Sequence, residues 1–308
     1  MVIRGTTKLL GVIGYPVEHS FSPLMHNAAI AHLQQQSANK TSADKTDADK
    51  TAEDPDYVYL PFPIAPARLK DAITGFSAID LQGFNITIPH KQTIIPLLDH
   101  VSDVAQAIGA VNTVWRTATG WSGTNTDAKG FLAPLEALPK DWNNTRTIIF
   151  GNGGAARAVV AACAQLGCSR ISVVGRSPDK LAQFAESWAA TPDIASRLKV
   201  MTWDELENQL PRADLLVNAT PIGMHPDIEA SVLSDDEIAV VKKDAIAYDL
   251  IYTPRPTKFL KQSAAVGLRT IDGLEMLVQQ GAAALEIWTG QPAPIDVMRQ
   301  ALLDHLNH

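Results

Sequence analysis

The stretch F-G-N-G-G-A-A-R-A-V, Phe150 to Val159, decides how the sequence is interpreted. It follows the apolar run T-I-I-F (147–150) and opens a run of helix-forming residues. That order predicts a strand, a tight glycine turn and a helix: Gly151 permits the turn, Gly153 lets a pyrophosphate approach the backbone, and Ala156 lets the helix pack on the strand. Amide groups at the start of such a helix favour an anion. The stretch therefore predicts a dinucleotide-binding unit.

The end of the next apolar run predicts which dinucleotide is bound. The run I-S-V-V (171–174) arrives about twenty residues after the turn, where an NAD site would place Asp or Glu on the ribose. Arg176 and Ser177 stand there instead, and Lys180 follows shortly. Cations at this point favour the 2′-phosphate of NADP. The alternative is that Arg176 is a solvated turn residue and Ser177 only caps the next helix.

Composition narrows the class of protein and of partner. The 308 residues suffice for two domains, and 26 basic against 33 acidic residues give a net charge of −7, which leaves no basic face for nucleic acid or an anionic membrane. Cys163 and Cys168 have no metal-site spacing and predict reduced core thiols. No signal peptide or membrane span is evident. We therefore predict a cytoplasmic protein with a small-molecule partner and without a metal.

Apolar and helix-forming segments alternate along the rest of the chain, which predicts an α/β protein. Strands are expected at 8–14, 57–62, 83–88, 110–116, 120–124, 215–218, 245–249 and 268–271. Helices are expected at 65–76, 101–108, 127–138 and, with a break at 290–294, over 273–308. Ser22 is expected to cap a helix that ends near Gln34. Residues 34–56 lack large apolar side chains, so a flexible polar insertion is predicted there.

Seven short motifs occur in an order that is specific in combination. They are H-S-F-S-P (19–23), N-I-T-I-P-H-K (85–91), G-A-V-N-T (109–113), N-T-D (125–127), G-N-G-G-A-A-R (151–157), N-A-T-P-I-G-M (218–224) and D-G-L-E-M-L-V-Q-Q (272–280). Together they resemble the NADP-dependent shikimate dehydrogenase family, over about residues 10–288 apart from the polar insertion. The resemblance implies reversible reduction of 3-dehydroshikimate to shikimate with NADPH, in chorismate and aromatic amino acid biosynthesis.

The resemblance also implies a domain organisation. An N-terminal α/β substrate-binding domain would comprise residues 1–126 together with 273–308, because the C-terminal helices return to it. A Rossmann-type NADP-binding domain would comprise residues 127–272. A homodimer is a further expectation, which the sequence itself does not test.

Individual site residues follow from the same resemblance. Lys91 and Asp127 match the catalytic pair. The substrate-binding positions are Ser20, Ser22, Asn85, Thr87, Asn112, Tyr252 and Gln280. The cofactor-binding positions are Gly151, Asn152, Gly153, Gly154, Ala155, Arg176, Ser177, Lys180, Thr220, Met224 and Gly273. The family pattern has Asn immediately before the arginine of the 2′-phosphate motif, where this chain has Gly175.

These residue types suit the implied chemistry. Hydroxyl and amide groups can bond the carboxylate and alcohols of a substrate in fixed directions. A cationic lysine can stabilise and protonate the oxygen of a ketone that accepts hydride. Taken alone, however, a lysine past a strand end is usually a solvated charge, and Asp127 could be an ordinary helix cap.

Two competing functions remain open at this point. One is a quinate/shikimate dehydrogenase that uses NAD, against which the cations Arg176 and Lys180 argue. The other is a non-catalytic regulator that binds NADP or shikimate on the same fold. Such a regulator would have no need of the Lys91 and Asp127 pair.

Overall fold

The computed structural model describes residues 3–43 and 56–306. Within them the chain forms two compact units. The first unit contains Met1–Gln106, Ala110–Thr126 and Val278–His308, and the second contains Ala107–Gly109 and Asp127–Leu277. Compactness alone does not establish a functional domain, so the predicted domain roles and their boundaries stay predictions.

The first unit is built on a mixed six-stranded sheet in the order β2-β1-β3-β5-β6-β4. Its strands are β1 (Lys8–Gly14), β2 (Tyr57–Pro63), β3 (Gly83–Ile86), β4 (His100–Val101), β5 (Thr113–Thr117) and β6 (Gly120–Thr124). Strand β1 runs parallel to β2 and β3, whereas β5 is antiparallel to both β3 and β6. The short β4 adds a parallel edge strand beside β6.

Helices cover this sheet. They are α1 (Ser22–Ala43), α2 (Leu69–Ala78), α3 (Asp103–Ile108), α10 (Leu274–Thr289) and α11 (Ile295–Leu306), of which α3 and α10 each have residues in both units. Helix α11 packs against α1. Trp288 of α10 donates its indole N–H to Val114 O at 2.9 Å. The predicted return of the C-terminal helices to the first part of the chain is therefore confirmed.

Helix α1 corrects the sequence prediction at both ends. Phe21 O accepts the hydrogen bond of Met25 N at 3.2 Å, so Ser22 is the first helical residue rather than the cap. The helix continues to Ala43 instead of ending near Gln34. Residues 35–43 contain no glycine or proline and include Gln, Ala and Lys, which are good helix formers. The remainder of the predicted flexible insertion, residues 44–55, lies outside the described residues.

The second unit is built on a six-stranded sheet that is parallel throughout, in the order β12-β11-β10-β7-β8-β9. Its strands are β7 (Arg146–Phe150), β8 (Arg170–Val174), β9 (Leu198–Met201), β10 (Leu215–Asn218), β11 (Ile246–Asp249) and β12 (Arg269–Ile271). Its other helices are α4 (Asp127–Glu136), α5 (Gly154–Gln165), α6 (Pro178–Glu186), α7 (Pro192–Ala195), α8 (Asp235–Ala239) and α9 (Lys258–Ala265). Numbered from its own first strand, this is the Rossmann order 3-2-1-4-5-6. The predicted α/β class with a Rossmann-type part is confirmed.

Strand burial explains why the second sheet is parallel. The middle strands are apolar and buried on both faces, as in I-I-F of β7 and L-L-V of β10. Such runs need helices on both sides, which parallel crossover connections supply. In this order the strand sequence reverses between β7 and β10, and ligands of such sheets bind at the carboxyl ends of strands at that point.

Two kinds of feature are absent from the described residues. No helix there is long and apolar enough to cross a membrane. No group of three or more His, Cys, Asp or Glu side chains there could hold a metal ion.

Candidate active site

The glycine turn joins β7 to α5 in the second unit. Gly151 has φ +104°, and a Cβ built on it would lie 2.9 Å from Thr220 Cγ2 and 3.1 Å from Ala219 O. Gly151 N donates to Val174 O at 2.8 Å, which fixes the turn beside the end of β8. Both the backbone conformation and the space available therefore require glycine at 151.

The next glycine faces open space. No atom lies within 4 Å of a Cβ built on Gly153, which stands at the N-cap of α5 and supplies no capping side chain. Ala156 is fully buried, so the helix packs closely on the sheet. A helix start without a side-chain cap, next to open space, fits the pyrophosphate of a dinucleotide, because its amide groups and dipole favour negative charge.

The 2′-phosphate positions follow the end of β8. Ser177 caps α6 and accepts from Lys180 N at 3.4 Å, while Arg176 and the Lys180 side chain are exposed. A Cβ at Gly175 would lie 2.9 Å from Leu181 Cδ2 and 3.5 Å from Asn152 Cγ. Leu181 would therefore crowd any side chain at position 175, where the family pattern has Asn. Ser177 is a cap, which is compatible with a further role toward phosphate.

A buried side-chain network holds the turn after β10. Asn218 is fully buried, and its Oδ1 accepts from Thr220 N at 3.0 Å and from the Thr220 hydroxyl at 2.7 Å. Its Nδ2 donates to Ile222 O and to Asp249 Oδ1, both at 3.0 Å. Thr220 and the adjoining backbone therefore have one fixed arrangement directly beside Gly151.

Asp249 completes this network from the end of β11. It is fully buried and accepts from Thr257 Oγ1 at 2.7 Å and from Ile251 N at 3.0 Å. Desolvation raises the pKa of Asp249 to about 6, although its hydrogen bonds oppose that shift. The sequence prediction missed both Asn218 and Asp249 as positioning residues. The signal was available, since each is a polar residue at the end of an apolar strand.

Three further predicted positions lie near the same strand ends. Gly273 N donates to Ile251 O at 3.1 Å, and a Cβ on Gly273 would come within 2.1 Å of Leu250 O, so only glycine fits. Tyr252 is half-buried after β11. Met224 is exposed in a turn that its N–H closes onto Pro221 O at 3.1 Å.

The predicted substrate residues of the first unit include a buried amide cluster, formed by Asn85, Asn112, Thr113, Thr126 and Gln280. Asn112 Nδ2 donates to Thr126 Oγ1 at 3.0 Å and to Gln280 Oε1 at 3.3 Å. Asn112 Oδ1 accepts from Thr126 N at 2.7 Å. The structure thus brings together predicted residues that lie 168 positions apart in the sequence. Their orientation is fixed by hydrogen bonds, as specific recognition of hydroxyl groups requires.

Asn85 is held entirely by this cluster and its neighbours. Its Nδ2 donates to Asn112 O at 3.2 Å and to Thr113 Oγ1 at 3.1 Å, and its Oδ1 accepts from Tyr59 Oη at 2.7 Å. These three bonds commit both ends of the amide. The geometry gives Asn85 a positioning role, and its contact with substrate stays a prediction.

Tyr59 and His26 extend the cluster and were missed by sequence reasoning. Their rings stack at 4.3 Å with an interplanar angle of 12°, and both are fully buried. Desolvation raises the pKa of Tyr59, and a hydrogen bond with Ser22 opposes this. Desolvation lowers the pKa of His26 to about 3, against an opposing contribution from Asn85. His26 is therefore neutral at physiological pH.

The remaining predicted residues of the first unit follow β1 and β3. Ser20 Oγ accepts from Ser22 N at 3.3 Å, and Ser22 is buried. Thr87 directly follows β3 and is half-buried. Lys91 is half-buried, and its carbonyl accepts from Val111 N at 2.7 Å, which places its backbone beside the G-A-V-N-T motif.

Asp127 is the first residue of α4 in the second unit and is buried. It directly follows Thr126, whose amide and hydroxyl are bound by Asn112. Asn112 of the amide cluster therefore holds the residue that immediately precedes Asp127.

A parallel sheet in Rossmann order, with a glycine turn at its strand-order reversal, defines the class as a dinucleotide-binding α/β protein. Three family models match: the shikimate dehydrogenase substrate binding domain (46–114), shikimate / quinate 5-dehydrogenase (135–277) and the shikimate 5'-dehydrogenase C-terminal domain (273–303). The chain belongs to the shikimate dehydrogenase family, as its seven motifs indicated.

Individual relatives match over nearly the full length. A shikimate dehydrogenase (NADP(+)) of Microcystis aeruginosa is 57% identical over 98% of each chain. One of Synechocystis is 53% identical over 99% of this chain and 98% of the relative. A crystal structure of shikimate dehydrogenase in complex with NADP+ superimposes with a TM-score of 0.83 at 36% identity, over 99% of this chain and 98% of that one.

Proposed function

We propose that this protein catalyses the NADPH-dependent, reversible reduction of 3-dehydroshikimate to shikimate, in chorismate and aromatic amino acid biosynthesis. The full-length similarity to NADP-dependent shikimate dehydrogenases carries this proposal. The glycine turn and the amide cluster support it, because one fits a dinucleotide and the other presents oriented groups for a hydroxylated substrate.

Residues of the second unit would hold NADP. Gly151, Asn152, Gly153, Gly154 and Ala155 would face the pyrophosphate. Arg176, Ser177 and Lys180 would bind the 2′-phosphate, and Thr220, Met224 and Gly273 would border the nicotinamide. The open space at Gly153 and the fixed turn at Thr220 support these roles.

Residues of the first unit would hold the substrate, together with Tyr252 of the second. Ser20 and Ser22 would bind its carboxylate, and Thr87, Asn112 and Gln280 would reach the carboxylate and ring hydroxyls. Asn85 would keep Asn112 and Thr113 in place. The domain roles proposed here are substrate binding for residues 1–126 with 273–308 and NADP binding for 127–272.

Lys91 and Asp127 would act on the reacting oxygen. The cofactor, when bound, supplies a hydride to the ketone carbon. The Lys91 ammonium stabilises the negative charge that develops on the oxygen and provides a proton there. The Asp127 carboxylate orients Lys91 and bonds the adjacent hydroxyl.

Shikimate-dependent reduction of NADP+, followed by absorbance of the reduced nicotinamide, tests the proposal. Lys91→Ala should lower kcat by roughly a thousandfold with a much smaller change in KM, since an acid catalyst and a transition-state charge are lost. Lys70→Ala, which removes an exposed lysine of α2, is the matched control and should keep wild-type rates. Near-normal turnover of Lys91→Ala would contradict the assignment.

The two competing functions give different results in the same assay. A quinate/shikimate dehydrogenase would turn over quinate with NAD+ at comparable rates, which the exposed cations Arg176 and Lys180 disfavour. A regulator would bind NADP or shikimate without turnover.

Compartment and assembly complete the proposal. Cys163 and Cys168 are free and buried, which suits the reducing cytoplasm. The net charge of −7 disfavours a nucleic-acid partner. A homodimer remains a prediction, which light scattering of the purified protein would check.

A further inference from the structure

Three arginines lie side by side at the amino ends of neighbouring strands in the second unit. Arg146 of β7 is paired in register with Arg170 of β8. Ile171 N donates to Arg197 O at 2.9 Å, so Arg197 stands next in line, just before β9. With strands about 4.8 Å apart, the three backbone positions span about 10 Å. We call these residues the arginine row. They lie at the sheet edge opposite the glycine turn, which follows the carboxyl end of β7.

The three residues of the arginine row line one concavity. It has a volume of about 350 Å³ and is also lined by Lys199, Ser169, Ser196 and Leu198. No Asp or Glu is among its lining residues in the part of the chain that the structure describes. The carboxylate of Glu205 is 3.9 Å from Lys199 Nζ, a long ion pair. Four cations therefore share a small volume on a protein of net charge −7.

Two of these cations lack a counter-charge. Within the described residues, the guanidinium groups of Arg146 and Arg170 make no ion pair or side-chain hydrogen bond. Arg197 Nη1 donates to Ala164 O at 3.2 Å, which fixes its guanidinium beside them. Like charges directly opposite each other on neighbouring strands repel. An anion in the concavity would remove that repulsion.

We propose that the arginine row binds the polyphosphate group of a small molecule. Guanidinium groups bind phosphate oxygens in bidentate fashion, and an extended row of them matches several linked phosphates better than one. Among the described residues, Leu198 is the only apolar one in the lining, and no aromatic side chain is found there. The lining offers a base no aromatic ring, whereas its four cations match the charge of a phosphate chain, so the phosphate chain is the recognised group.

Calorimetric titration with inorganic tripolyphosphate tests the proposal on protein saturated with NADP+, so that the cofactor positions are filled. We expect one site whose affinity falls steeply as salt increases. Arg146→Ala and Arg170→Ala should each weaken binding at least about tenfold, because each removes a charge-assisted contact. Arg68→Ala is the matched control, since it removes an exposed arginine of the first unit that pairs with Asp71.

A second titration with ATP identifies the recognised group. ATP should bind about as tightly as tripolyphosphate, because the cations of the lining contact the phosphate chain that the two molecules share. Unchanged tripolyphosphate affinity in Arg146→Ala and Arg170→Ala would overturn the proposal, and so would an absence of binding at low salt. Thermal unfolding of the variants confirms that they are folded. Both arginines are exposed, so their unfolding should match that of the parent protein.

Discussion

The amide cluster of the first unit and the glycine turn of the second are organised in opposite ways. In the amide cluster, buried side chains bind each other, and Asn85 and Asn112 use most of their hydrogen-bonding capacity within the protein. In the glycine turn, three of the first four residues have no side chain, and the backbone faces open space at Gly153. A rigid set of amides distinguishes similar small molecules, whereas a bare helix start accepts any suitably shaped pyrophosphate. In the proposed function, discrimination between cofactors falls to side chains further along, at Arg176 and Lys180.

Acid should change the free energy of unfolding with opposite signs through one buried group in each unit. The larger change comes from His26 in the first unit. Its folded pKa of about 3 lies below the unfolded value of 6.5, so its contribution is complete above pH 6.5 and is lost as the pH falls toward 3. At 1.36 kcal/mol per unit, the loss is about 5 kcal/mol. Urea unfolding at a series of pH values should show this loss of unfolding free energy in the parent protein. The loss should be absent in His26→Phe, which retains a ring against Tyr59.

Asp249 should produce the opposite slope in the second unit. Its folded pKa of about 6 lies above the unfolded value of 3.8, so its contribution is complete below pH 3.8 and is lost as the pH rises to 6. The loss amounts to about 3 kcal/mol. Asp249→Asn should lack this pH-dependent loss in the same unfolding series. An equal slope in the variant and the parent would show that Asp249 titrates normally.

Removing one amide side chain should destabilise the amide cluster. Asn112→Ala leaves Thr126 N and other buried groups without a partner, at a cost of about 2 to 3 kcal/mol in the free energy of unfolding. It should also raise the KM for shikimate. Gln92→Ala, an exposed amide in the same unit, should change neither quantity. A wild-type KM in Asn112→Ala would remove Asn112 from the proposed substrate site.

Alanine substitutions should separate the energetic cost of crowding from the cost of backbone strain in the glycine turn. Gly151→Ala introduces a left-handed alanine next to Thr220 and should cost about 2 kcal/mol in unfolding free energy. Gly267→Ala has φ +87° but open surroundings, so the difference between the two measures crowding. Gly153→Ala meets no neighbouring atom but puts a poorer N-cap residue on α5, so it should cost less than about 1 kcal/mol in unfolding free energy and weaken NADP binding. Unaltered NADP binding in Gly153→Ala would place the pyrophosphate elsewhere.

The smallest expected effect concerns cofactor choice. Arg176→Ala should raise the KM for NADP about tenfold, with the KM for NAD unchanged, because only NADP carries the 2′-phosphate. Arg212→Ala removes another exposed arginine of the same unit and serves as the control. If both variants behaved alike, general charge rather than a specific contact would explain the preference.

Local sequence signals predicted the parts of the fold that depend on local physics. Strands β1, β6 and β10 begin and end at the predicted residues, because short buried runs are bounded by glycine or polar residues. Strand β9 (L-K-V-M) was missed, since it is partly exposed and has only three apolar residues. Strand β4 has two residues, too few to form a pattern. The end of α1 was misplaced because a polar composition was interpreted as loop, although its residues favour helix.

The candidate site also has parts that local sequence signals predict and parts that they do not. The glycine turn is a local motif and was predicted residue by residue. His26 and Tyr59 belong to no motif, and they meet only because α1 packs on β2. Asn218 was seen only as part of the N-A-T-P-I-G-M motif, and its bond to Asp249 depends on the pairing of β10 with β11. Contacts between distant segments require the three-dimensional fold, and composition and periodicity do not encode them directly.

The position of the Trp288 side chain has a consequence for folding during synthesis on the ribosome. Gly83 leaves room for this indole, which donates to Val114 O of β5, so a helix that is synthesised late packs on a sheet whose strands are synthesised early. Residues 127–277 are synthesised as one continuous run and can fold while translation proceeds. The earlier segments gain their contacts with Trp288 of α10 and with α11 only after these helices emerge, so we expect the first unit to finish folding after the second.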